Sequence, residues 1–215
     1  SGSVIHAVSD EQDIRKMGGL WRLIPITWIV MLIGTLGLTG APLMSGYYSK
    51  DGIIEAAFVS TTQGHNFAFY LLVFSAFLTS FYSWRLIFLT FHGKNNISKD
   101  IFSKIHESPK VMLFPLFVLT FFTIFSGAYF VDYFMSYDYQ FLWKDSIYLS
   151  PSNHVIEAIH HVPRWVKYSP LFMMIIGLAA SFLFYILLPS IPRYLAKTFD
   201  PIYKFLLNKW YFDEL

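Results

Sequence analysis

Residues 23–60, LIPITWIVMLIGTLGLTGAPLMSGYYSKDGIIEAAFVS, are too long and too interrupted to be one ordinary transmembrane helix. The apolar run Leu23–Leu38 is long enough to enter a bilayer, and it then meets Thr39-Gly40-Ala41-Pro42. Pro42 has no amide proton, its ring clashes with the preceding turn, and residue 41 is pushed away from helical angles. Apolar character resumes after Ser45-Gly46, now with Lys50 and Asp51 inside it. At 1.5 Å per residue, about 38 helical residues would span close to 57 Å, far more than a ~30 Å hydrocarbon core. The stretch is therefore one interrupted span, or a helix followed by a separate element. Unwound backbone at membrane depth survives only where protein or water covers it, and a lysine there costs at least ~2.5–3.5 kcal/mol. A broken helix with a buried cation reads as part of an ion path.

Composition places the rest of the chain in the membrane as well. Hydrophobic residues make up 55% and charged residues only 14%, against about 25% charged in a soluble domain. Three further apolar stretches follow, at 67–92, 111–135 and 169–188, the last closed by Pro189 and Pro192. The expected fold is all-α: polytopic membrane helices, one of them discontinuous. Residues 1–92 hold the end of one helix, the broken helix and the next span. Residues 93–215 hold two more spans joined by an outer amphipathic loop. With no cysteine, the chain has no disulfide, thiolate metal site or cysteine-ligated cluster of its own. A net charge of +2 and no basic run interleaved with aromatics argue against nucleic acid. The opening SGSVIHAV has neither an initiator methionine nor a signal peptide, so the chain is expected to be a piece of a longer protein.

Charge sets the orientation. If every span crosses, Arg15, Lys16 and Arg22 share one side with Lys94, Lys99, Lys104 and Lys110, and with Arg193, Lys197 and Lys204. Residues 61–66 have no Lys or Arg, and 136–167 have Lys144, Arg164 and Lys167. The richer side is the cytoplasm, or the matrix of a mitochondrion. Tyr133, Tyr137, Tyr139, Trp143, Tyr148, Trp165 and Tyr168 fall near the outer boundary, and Trp21, Tyr194 and Tyr203 near the inner one. That is an aromatic belt pattern. A short amphipathic helix is expected at Asn153–His161, outside the hydrocarbon.

Among chemistry-bearing residues, Lys50 and Asp51 stand first. As helix neighbours they point about 100° apart and cannot share a partner, whereas Asp51 and Glu55 share a face. Lys50 reads as a titrating relay beside the break at Gly40, Pro42 and Gly46. The alternative is a lysine snorkelling to the outer interface. About nine helical residues separate it from the polar loop, roughly 13 Å, which favours the deeper position. Gly34, Gly37, Gly40 and Gly46 form a small-residue face suited to close helix packing. Arg85 either snorkels toward the inner headgroups or forms an ion pair that holds neighbouring helices in register. Asp132 reads as interfacial, and His65 and His92 as boundary histidines. His154, Glu157, His160 and His161 do not follow the order of a zinc-hydrolase motif, so no metal site is assigned. No nucleophile elbow, phosphate loop, paired-carboxylate site or dinucleotide fingerprint occurs.

The runs DEQDIRKMGGL (10–20), GAPLMSGYYSKDGIIE (40–55) and FYSWRLIFLTFHG (81–93) resemble the largest antiporter-like membrane subunit of respiratory complex I, called subunit 5 in mitochondria and chain L in bacteria. The resemblance runs from SGSVIH to NKWYFDEL and implies an antiporter-like fold. It makes the broken span the family's twelfth helix, matches Lys50 to a lysine of the terminal proton half-channel, and matches Asp51 to the acid beside it. It implies proton transport driven by NADH oxidation and quinone reduction elsewhere. Flavin, iron–sulfur clusters and quinone are then expected on partner subunits, with no cofactor in this chain. The implied partners are the other complex I membrane subunits and the bilayer. The family's glutamate–lysine pair and eleventh-helix histidines lie upstream of Ser1, and its lateral helix is missing, so this stretch alone is not expected to pump. HHVPRWV (160–166) and the chain's ending resemble alphaproteobacterial forms, favouring a bacterial inner membrane over a mitochondrial one. Two rivals remain: a monovalent cation/proton antiporter subunit, and a structural membrane anchor that moves no ion.

Overall fold

A computed structural model describes residues 2–136, 142–146, 150 and 153–212. Ten α-helices are bounded among them, with shorter helical turns between and no strand. They are α1 (Gly2–Ala7), α2 (Pro25–Thr39), α3 (Ser45–Val59), α4 (His65–Ile87), α5 (Lys99–Phe102), α6 (Lys110–Met135), α7 (Val155–Ile159), α8 (Arg164–Phe182), α9 (Ser190–Thr198) and α10 (Asp200–Leu207). α4 runs on into a wider turn, Phe88–His92, and α8 into another, Leu183–Leu187. Three continuous helices are long and apolar enough to cross a membrane: His65–His92, Lys110–Met135 and Arg164–Leu187. α2 and α3, of 15 residues each, make the fourth, interrupted unit.

The boundaries have local causes. Pro25 opens α2 in its first turn, where a missing amide proton costs nothing. The orphan N–H groups of that turn are met from far along the chain. Glu107 accepts from the Ile26 amide at 2.9 Å, the Thr27 amide at 3.3 Å and the Thr27 hydroxyl at 2.5 Å. A carboxylate there satisfies donors and complements the positive end of the helix dipole. α7 covers Val155–Ile159, a shorter core of the helix expected over Asn153–His161. The belt residues Tyr137, Tyr139 and Tyr148 lie outside the described residues.

The bundle is held by close backbone approach. α4 and α8 lie side by side, with Gly177 against the Phe77 carbonyl and Ser80. There the Ser80 hydroxyl donates to the Met174 carbonyl at 2.6 Å. α6 meets the start of α3 through Gly127, which lies against Ser45. At the end of the bundle that carries the loop 93–110, Val4, Val8, Met17, Leu20, Ile24, Trp84, Ile87 and Phe91 form one buried cluster. Ile54, Phe69, Val73 and Val166 form a second, nearer the opposite end. α6 buries only Leu113 and leaves Phe114, Phe117, Phe121 and Phe125 exposed. So much uncovered aromatic surface on one helix is a surface for lipid or for another protein, not for water.

Candidate ion-path element

The interruption between α2 and α3 is a built structure. Gly40 takes left-handed angles (φ 81°, ψ 38°) and ends α2. The Gly40 amide donates to the Gly37 carbonyl at 3.3 Å, and the Ala41 amide reaches back to Leu36 at 2.9 Å. This double closure satisfies two of the last carbonyls and leaves others free. Leu43 also adopts a positive φ of 71°, costly for a residue with a branched side chain, so the surroundings hold the loop in place. Pro42 sits exposed in the gap, and α3 restarts at Ser45. Gly46 lies in the first turn of α3, where an added Cβ would fall 1.8 Å from the Gly37 carbonyl oxygen. The two half-helices therefore touch backbone to backbone, which only glycine permits.

Lys50 is placed by this break. Its Nζ donates to the Leu38 carbonyl, one of those the cap leaves free, while its stem passes Gly40. A cation at the carbonyl end of a helix gains from the dipole as well as from the hydrogen bond. The side chain is half-buried. Asp51 points elsewhere, as the helical angle requires. Tyr47 lies near its carboxyl group, and its Oδ2 is buried with no partner. One turn on, Glu55 is only 8% exposed. Lys167 of α8 and His160, just after α7, face its carboxyl group. His160 also sits with Nε2 3.1 Å from the Met135 carbonyl. The element thus has two faces, a lysine on the helix break and a carboxylate pair turned toward Lys167.

Other singled-out residues fall as follows. Arg85 meets the Tyr185 ring at 5.5 Å and pairs with no carboxylate among the described residues. For the two readings of Arg85, snorkelling to the headgroups or a register-holding ion pair, the described residues show no carboxylate partner, only this ring contact. Gly37 packs on Thr123 of α6, whereas Gly34 faces open space. Asp132 is exposed. His154 Nδ1 lies 3.7 Å from Glu157 Oε2 on an exposed surface. His92 stacks on Trp21 and meets Trp28 edge-on. Sequence reasoning placed Glu55 on the face of Asp51 but missed its burial. It missed Lys167, His160 and Glu107 as partners because each comes from a distant segment.

These features define a class: a polytopic helical membrane protein with a charged residue seated in a discontinuous helix. Two family models match. Residues 1–79 match the transmembrane module described as NADH:quinone oxidoreductase/Mrp antiporter, and residues 82–152 match the NADH dehydrogenase subunit 5 C-terminus. Relatives align over the entire chain. NADH-ubiquinone oxidoreductase chain 5 of Phytophthora infestans is 41% identical, and that of Marchantia polymorpha 40%. NADH-quinone oxidoreductase subunit L of Rhodobacter capsulatus is 36% identical. The chain spans 32% of the first two relatives and 39% of the third, about a third of their length. The chain belongs to the family of antiporter-like membrane subunits of NADH:quinone oxidoreductase.

Proposed function

We propose that this chain carries one proton-transfer station of a proton-translocating subunit in an NADH:quinone oxidoreductase. Lys50 is the relay and Asp51 its electrostatic tuner, and Glu55 with Lys167 forms the next step outward. The observation that carries this reading is the seat of Lys50, whose ammonium lies on a carbonyl exposed by the helix break. A charged lysine donates there. A neutral one loses the dipole's attraction, so the site distinguishes the two protonation states. Asp51 biases that balance, and its buried Oδ2 leaves a carboxyl oxygen open to a proton donor. Oxidation of NADH and reduction of quinone belong to partner subunits, and a chain without cysteine supplies no thiolate ligand for a cluster. The protein's place is a membrane, proposed as the bacterial inner membrane, although relatives come from bacteria and mitochondria alike.

Replacing Lys50 by Met in the complete subunit should lower proton pumping several-fold in sealed vesicles. NADH oxidation with an artificial acceptor should stay intact. Unchanged pumping rejects the relay. Lys50→Arg separates a relay from a structural anchor, because arginine keeps its proton and only an anchor tolerates it. The description of the first family model, which also names Mrp antiporters, supports the antiporter subunit as a second reading. That reading requires sodium-dependent growth rescue without an associated NADH oxidase.

A further inference from the structure

At the end of the bundle that carries the loop 93–110, α4, the Leu183–Leu187 turn, α9 and α10 line an open cavity of about 830 Å³. Three arginines line it: Arg15, Arg85 and Arg193. Among the described residues, no carboxylate lines it. Arg15 is already neutralised, since Asp13 holds its guanidinium with two oxygens at 2.7–3.0 Å. The Tyr203 hydroxyl stands beside it from α10. Arg85 and Arg193 have no such counter-charge among the described residues. Arg85 has only the Tyr185 ring, which flattens it against one wall without cancelling its charge. Deeper along α4 the lining turns apolar, with Phe81 and Phe184 packed edge to face.

Depth and charge together select a ligand. The cavity lies on the side richer in lysine and arginine, and its lining on α4, Phe81 and Arg85, falls within about two turns of Ile87. It has two unneutralised guanidiniums at its polar end and aromatic surface running toward the bilayer interior. Guanidinium matches a phosphate in fork geometry, and apolar surface beyond it matches acyl chain. We propose that this cavity binds one anionic phospholipid of the inner leaflet, its phosphate between Arg85 and Arg193 and its acyl chains along Phe81 and Phe184. The bound lipid would tie α9 and α10, whose apolar sides are otherwise uncovered, to the inner ends of α4 and α8. The proposal is independent of the proton relay.

The test uses the complete protein, purified in mild detergent, delipidated and titrated with phosphatidylglycerol, phosphatidylcholine or inorganic phosphate under native mass spectrometry. One phosphatidylglycerol should be retained, at least tenfold more tightly than phosphatidylcholine. Arg85→Gln/Arg193→Gln should lose that preference, while Arg85→Lys/Arg193→Lys keeps most of it. Equal retention of both lipids, or no loss in the glutamine variant, overturns the proposal. Inorganic phosphate competing as well as the lipid also overturns it, since the site would then read a free anion. If the glutamine variant fails to fold, the comparison of lipids on the unaltered protein still decides. A photoreactive residue at Phe184 should capture lipid in native membranes, and capture of a polypeptide there instead refutes the lipid.

Discussion

Lys50 shows how one residue's chemistry depends on what the backbone leaves unpaired around it. An ammonium in an intact helix would compete with water for carbonyls that are already bonded. Here the Gly40 closure takes up Leu36 and Gly37 and leaves Leu38 for Lys50. The Met and Arg substitutions at Lys50 test the relay at this scale. A second residue gives a pH test outside the membrane. The Arg15 guanidinium holds the Asp13 carboxyl near 2, well below its ordinary 3.8. A lowered folded value means the contribution to local stability is complete above about 4 and is lost as pH falls through 2. Asp13 also accepts the Arg15 amide at 2.9 Å. Protection of that amide from hydrogen exchange, corrected for intrinsic rate, should therefore drop between pH 4 and 2. In Asp13→Asn the drop should vanish, and a drop that persists refutes the assignment.

At the scale of the element, the contact between α2 and α3 depends on hydrogen in place of a side chain. Gly46→Val puts a Cβ on the Gly37 carbonyl oxygen, so the half-helices must separate. Overpacking of this kind costs about 1–3 kcal/mol. It should also shift Lys50 off Leu38, lowering both the thermal midpoint and pumping. Gly34→Ala is the control: nothing lies within 4 Å of its added carbon, and alanine gains about 1 kcal/mol of helix propensity. Thermal unfolding in detergent should rank the variants Gly34→Ala at or above the unaltered protein and Gly46→Val below it. The reverse order would mean that the break is held by something else. The interruption itself was legible in Gly40 and Pro42, and it falls where those residues put it. Its cap was not legible, because the sequence does not say which carbonyl a glycine closure leaves open.

Across the whole molecule, the charge asymmetry makes a topological statement. α4 runs between the cation-free turn at 61–66 and the loop at 93–110, so the two must lie on opposite faces. The absence of cysteine in this stretch makes the test direct. Thr61→Cys should react with an impermeant maleimide only from outside, and Lys104→Cys only from inside. Reaction of both from one side rejects the arrangement. The order of the spans and their polarity came from hydropathy and from the distribution of lysine and arginine. Those signals are local, fixed by what oil tolerates. The pairings came from elsewhere. Glu107 reaches the Ile26 amide of α2 across 81 positions, Lys167 faces Glu55, and Arg85 lies over the Tyr185 ring.

The sequence by itself determined that the chain is helical, membrane-bound and broken near residue 40, because transfer energies and the geometry of proline and glycine act within a few residues. Only the tertiary structure decided which groups meet inside it. A hydrogen bond or a facing charge depends on where two distant helices come to rest, and no spacing along the chain records that.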